Sequence, residues 1–256
     1  MAERINEASP SELYVGYLPV PVGIRRFVWV AAPMLVVLVA IAAVVIARTQ
    51  PNPGTGVWEM TEERVFTGVL ATRPYPMLYV ADRGDGRPGY VLLVEVGKHG
   101  GGKRAAVYDG KHISVSGWLL HRDGRFMVEM APGEEAIREV AGEPVGVSTP
   151  PRAMGRVTLR GEIVDSKCFL GTMKPGHGKT HKECATLCIT GGIPPVLVVR
   201  DAKGAATYYL LTDEEGGALS SAAWPMIADP VEVSGELEDV GGTMRLRVRG
   251  GDVRRL

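Results

Sequence analysis

Five side chains able to bind soft metals or do redox chemistry lie close together: Cys168, His177, His181, Cys184 and Cys188, within one 21-residue stretch of a 256-residue chain. The chain has no other cysteine. Thiolates and imidazoles are the ligands that select zinc and copper(I). A helix starting near Thr180, with Glu183 as capping-box partner and Gly191-Gly192 as its stop, puts His181, Cys184 and Cys188 at i, i+3 and i+7. That spacing is one helix face. Cys168 then arrives from the end of a preceding strand and completes a Cys3His set for zinc or copper. His177, between glycines, reads as a loop residue and an additional or alternative ligand. Two other chemistries use the same residues. Cys168 pairs with Cys184 or Cys188 as a disulfide staple, whereas a Cys184–Cys188 bond has poor helix geometry. Or Cys184 or Cys188 acts as the nucleophile of a thiol-based oxidoreductase, an odd cysteine count leaving one thiol over.

The compartment decides among these. Residues 27–47 form an uncharged apolar run long enough for a transmembrane helix, too long and too far from the N-terminus for an ordinary signal peptide. Pro33 falls in its first turns, where a membrane helix tolerates it. Arg25 and Arg26 precede the run and Arg48 follows it, which puts residues 1–26 in the cytoplasm and the bulk of the chain outside the inner membrane, in the periplasm. Cysteines there meet an oxidising environment.

The elements that must position them follow from a repeat. Ile113-Ser-Val-Ser-Gly117 matches Val231-Glu-Val-Ser-Gly235, Tyr90-Val-Leu-Leu matches Tyr208-Tyr-Leu-Leu, and Tyr75-Pro-Met-Leu-Tyr-Val matches Ile193-Pro-Pro-Val-Leu-Val, all at an offset of 118. Val65-Phe-Thr-Gly68 matches Thr158-Leu-Arg-Gly161 at 93. The offset changes across the cysteine segment, so the second copy reads as the first with a Cys/His insert of 25 residues. Each copy has five short alternating strands: Val65–Leu70, Met77–Val80, Tyr90–Val94, Ile113–Leu120 and Phe126–Met130, then Val157–Val164, Val196–Arg200, Thr207–Thr212, Val231–Leu237 and Met244–Val248. Asp123-Gly124 reads as a hairpin turn. Five strands, glycines inside the first and fourth, and a loop that accepts an insert predict two tandem OB-like barrels. The expected organisation is mainly β: a tail (1–26), a span (27–47), a linker (48–56), a first barrel (57–140), a linker (141–154), and a second barrel (155–256) with the insert at 165–192.

Asp165-x-x-Cys168, His181-x-x-Cys184-Ala185-x-x-Cys188 and Gly192-Ile-Pro194 together resemble a signature of exported bacterial small-domain proteins of unassigned function, over about 30 residues. The Cys-x-x-x-Cys spacing also resembles copper-delivery proteins of cytochrome oxidase assembly, which carry it on a thioredoxin fold; no βαβ pattern surrounds it here. Gly97-Lys-His-Gly-Gly-Gly102-Lys103-Arg104 falls short of a phosphate-binding loop, since Arg104 stands where Ser or Thr must reach magnesium. It reads as a solvated glycine-rich loop. Asp82-Arg-Gly-Asp85 reads as an acidic turn. Zero net charge and 6% aromatic residues disfavour a nucleic-acid binder. The expectation is a membrane-anchored accessory or assembly module that binds a metal, a redox cofactor or an envelope partner through the insert, with a thiol-based oxidoreductase using Cys184 or Cys188, or a structural binding domain stapled by a Cys168 disulfide, as the alternatives.

Overall fold

A computed structural model describes residues 20–50, 54–142 and 150–256. Most of the expected cytoplasmic tail, the middle of the 48–56 linker and the core of the 141–154 linker lie outside the described residues. The N-terminal unit is one helix, α1 (Val22–Thr49), with mean hydropathy 2.9 over its most apolar window and no buried residue. It is long and apolar enough to cross a membrane. It takes in Arg25, Arg26 and Arg48 at its ends and Pro33 inside, so it is longer than the uncharged run.

The second unit, from residue 53 onward, is mainly β. Strands β1 (Val57–Ala71), β2 (Met77–Val80), β3 (Gly89–Val94), β4 (His112–Arg122) and β5 (Arg125–Met130) pair in the order β1-β2-β3-β5-β4, and β4 closes back on β1. The β3–β5 contact is parallel and the others are antiparallel. This is the closed OB-like arrangement, with a one-turn helix, α2 (Gly102–Ala105), between β3 and β4. Strand β6 (Ile137–Glu139) lies against β4. The second copy repeats every step. Strands β7 (Arg152–Asp165), β8 (Pro195–Arg200), β9 (Ala206–Asp213), β10 (Pro230–Val240) and β11 (Thr243–Val248) run β7-β8-β9-β11-β10, β10 closes on β7, β9–β11 is parallel, and β12 (Val253–Arg255) lies against β10. All ten expected strands form. Strands β6 and β12, three residues each, carry too little pattern to be read beforehand. The β4–β5 turn has the expected positive φ at Asp123 (48°) and Gly124 (73°).

The ladders test the repeat directly. Gly68 faces Ile113, and Gly161 faces Val231. Leu70 faces Leu78 and Ile163 faces Leu197, which sets Leu78 against Leu197, 119 positions on rather than 118. The insert therefore lengthens the β1–β2 connection by 26 residues (119 minus 93), and one residue is lost before β9. The cores correspond position by position. Leu70, Leu78, Leu93, Ile113 and Val128 fill the first barrel; Ile163, Leu197, Leu211, Val231 and Leu246 fill the second.

The barrels share a buried seam. Met77 and Tyr79 with their ladder partners Leu92 and Tyr90 pack against Val196 and Val198 with theirs, Leu210 and Tyr208. Each barrel thus contributes the same strand positions, as in the self-complementary interface of a two-fold dimer. The insert breaks that symmetry. It contains a helical turn at Cys168–Thr172 and helix α3 (Lys182–Thr190). Ala185 and Ile189 of α3 enter the core of the second barrel, while Cys188 and Ile193 join Val94, Leu120 and Met127 of the first.

Candidate metal centre

Helix α3 starts two residues later than its sequence suggests. A single turn, Lys179–His181, precedes it, His181 is its N-cap, and no side-chain capping bond forms. The expected Thr180–Glu183 capping box is thus absent. Gly191 and Gly192 end the helix as expected, Gly192 with φ +96°. Cys184 and Cys188 lie on the face turned toward the first barrel, and the strand end at Asp165 delivers Cys168 to the same place.

The three sulfurs lie within 4.8 Å of one another, and all three cysteines are free. The Cys168 and Cys184 sulfurs are 4.0 Å apart. A disulfide requires about 2.05 Å, whereas thiolates ~2.3 Å from a tetrahedral zinc stand about 3.8 Å apart. The spacing fits three ligands around one soft ion. Cys168 and Cys188 are buried, and Cys184 is half-buried.

His181 belongs to an overlapping group with Asp165 and Cys168. Its Nε2 donates to Asp165 Oδ2 at 3.0 Å, and Asp165 Oδ1 accepts the Cys168 backbone N–H at 2.8 Å. Asp165 and His181 are both buried. A carboxylate that fixes an imidazole and the backbone of a cysteine at once is the arrangement that orients metal ligands from behind. His177 is elsewhere. Its ring meets the edge of Phe169 at 6.0 Å, beside Glu162 and Arg200, and burial holds it below the usual histidine range.

The first barrel supplies a group the cysteine pattern does not contain. Lys98 Nζ donates to Cys184 Sγ at 2.7 Å and lies 3.8 Å from Cys188 Sγ. The contact with Cys184 raises the Lys98 pKa above the ordinary lysine value. Cys188 is lowered to about 7, first by a hydrogen bond from the Cys168 thiol and further by the Lys98 charge. Cys168 is correspondingly raised, by that hydrogen bond and by burial. Near neutral pH Cys188 is therefore about half thiolate, with the proton retained on Cys168 and a cation against Cys184.

Packing holds Lys98 there. Gly100 N–H donates to the Gly191 carbonyl at 2.9 Å. A Cβ on Gly100 would stand 2.1 Å from the Gly192 carbonyl oxygen, and one on Gly191 would stand 1.9 Å from that of Lys98. Two backbones touch, which only glycine permits. Lys167 of the insert reaches into the same loop, donating to the carbonyls of Glu95 (2.7 Å) and Gly97 (2.8 Å) and forming an ion pair with buried Glu129. The matching loop of the second barrel is fastened from within, by Asp213 accepting the N–H groups of Glu215 and Gly217. The glycine-rich segment is thus a docking loop at Gly100, while Gly97, Lys98, His99, Gly102 and Lys103 are exposed as expected. Its flanking glycines permit close backbone approach, but on the sequence alone they read as a loop. Lys167 and Glu129 left no signal either, because only the contact between barrels pairs them.

The Asp82 turn is structural. Its carboxylate accepts the N–H groups of Gly84 and Gly86, as Asp201 does for Lys203 and Ala205 in the second copy.

No family model, curated protein or solved structure matches the chain.

Proposed function

We propose that the chain is a membrane-tethered accessory module that holds one soft metal ion outside the cytoplasm on Cys168, Cys184 and Cys188, for an envelope partner. The observation that carries this reading is the convergence of three free sulfurs within 4.8 Å. Copper(I) suits the donor set better than zinc. Structural zinc takes four ligands. Here the fourth candidate, His181, is turned to Asp165, and Lys98 lies against Cys184. Thiolate-only ligation is what copper(I) accepts. The positive charge of Lys98, exposed but in direct contact with Cys184, offsets part of the surplus negative charge of three thiolates around a monovalent ion. Tethering by α1 keeps the site concentrated near membrane partners.

The test is anaerobic titration of the full chain with copper(I) against a competing chelator, with zinc in parallel. One tightly held equivalent, lost in Cys184→Ser and reduced less in His181→Ala, is the expected result. No stoichiometric metal, or metal retained in all three single cysteine variants, overturns the reading.

A second reading, a thiol oxidoreductase, is favoured by the lowered Cys188 pKa and the Lys98 cation, both of which activate a thiolate. Rapid reduction of a model disulfide by metal-free protein, with no metal uptake, would select it.

A further inference from the structure

A slot with a cavity volume of about 50 Å³ opens along the seam between the barrels, on different residues from the cysteine cluster. Its walls are Met77, Leu92, Val196 and Leu210 and the rings of Phe126 and Tyr208. Two guanidinium groups line this apolar space, Arg83 and Arg125. Arg83 has a carboxylate, Asp85 at 2.9 Å, and lies over the Phe126 ring. Arg125 has none among the described residues. Its contacts are a long hydrogen bond to the Gly242 carbonyl (3.4 Å) and the face of Tyr208, 5.8 Å to the ring centroid. Asp123, two residues away, is already engaged by Thr55, Arg122 and the Tyr208 hydroxyl.

A half-buried guanidinium in an apolar slot, beside a second one, is an unbalanced charge that costs stability until an anion meets it. Burial and the Arg83 charge lower the Arg125 pKa, consistent with a cation that lacks its counter-ion. The planar guanidinium fork matches a carboxylate through two hydrogen bonds. The narrow apolar volume beside it takes a slender unbranched chain and has no room for a ring system or a diacyl lipid.

We infer that this slot binds a small amphiphilic carboxylate, an alkyl monocarboxylate whose head meets Arg125 and whose tail lies between Leu92 and Leu210. The site is independent of the metal reading. Ser166, Phe169 and Leu170 of the insert also line it, so an occupant contacts the segment that carries Cys168.

The probe is butanoate, whose three-carbon tail matches a cavity of about 50 Å³, with butan-1-ol as its uncharged counterpart, read by saturation-transfer NMR on the full chain in neutral detergent against protein-free micelles. Butanoate should bind well above butanol. Arg125→Gln should weaken butanoate by about tenfold or more and leave butanol unchanged. Leu210→Trp, which keeps the charge and fills the slot, should abolish both. Equal binding of acid and alcohol, or full butanoate affinity in a folded Arg125→Gln or Leu210→Trp variant, overturns the inference.

Discussion

The Lys98 ammonium, carried by a loop of the first barrel, lies 2.7 Å from the sulfur of Cys184 on a helix of the second. The candidate centre is therefore shared between two domains, although all its sulfur comes from one. Removing the cation tests that relationship. In Lys98→Met the titration midpoint of Cys188 should climb from about 7 toward the ordinary value near ~8.5. Thiolate absorbance and alkylation rate against pH measure it.

Cys168 should matter more to that midpoint than Lys98 does, because its thiol is the main stabiliser of the Cys188 thiolate. In the metal-free protein, alkylation of Cys188 should rise about tenfold per pH unit below pH ~7 and level off above it. Cys168→Ala should shift the whole curve to higher pH, by more than Lys98→Met.

Gly100→Ala should act at a distance through the backbone. The added methyl meets the Gly192 carbonyl, so the loop must withdraw and take Lys98 with it. The expected outcome is a loss of about 1–3 kcal/mol and a raised Cys188 midpoint with the lysine still present. Gly102→Ala, two residues on with nothing within 4 Å of its Cβ, should be neutral and serves as the control.

Lys167→Met strands buried Glu129 without its cation. Such a break costs about 3–5 kcal/mol. Replacing both partners, as Lys167→Met with Glu129→Leu, should recover most of that loss in chemical denaturation. Metal affinity should stay impaired in both variants, since the carbonyls of Glu95 and Gly97 lose their donor either way.

The membrane assignment rests on α1. Leu38→Arg places a charge near the middle of the helix, at a cost of about 2.5–3.5 kcal/mol for insertion. The chain should then become extractable from membranes by alkaline carbonate, whereas the parent resists it.

The strands were legible because each barrel buries one face, which forces alternation, and because the two copies share their pattern. Matching two copies of one chain even located the insert, with an error of one residue where β8 slips. The convergence of three cysteines followed from helix spacing and a strand end. What stayed hidden depends on contacts between domains. Nothing local to Lys98 marks it as a neighbour of Cys184, and its glycine-rich surroundings read equally well as a loose loop. Likewise, helix periodicity puts His181 on the cysteine face, but the N-terminal position it occupies on α3 lets its ring turn to Asp165. A period can assign a face; it cannot say which neighbour a side chain at the end of that face will choose.

The quasi-two-fold seam gives the molecule one chemical pole and one blank pole built to the same plan. Opposite the cysteine cluster, the uninserted corner of the first barrel places the Tyr75 hydroxyl between the Leu211 carbonyl and the Leu219 N–H. The loop facing that corner carries Gly216 where its counterpart carries Lys98. Transplanting residues 166–194 into the first barrel would therefore move the sulfur without the charge. The repeat thus places the sulfur on one half and its cation on the other.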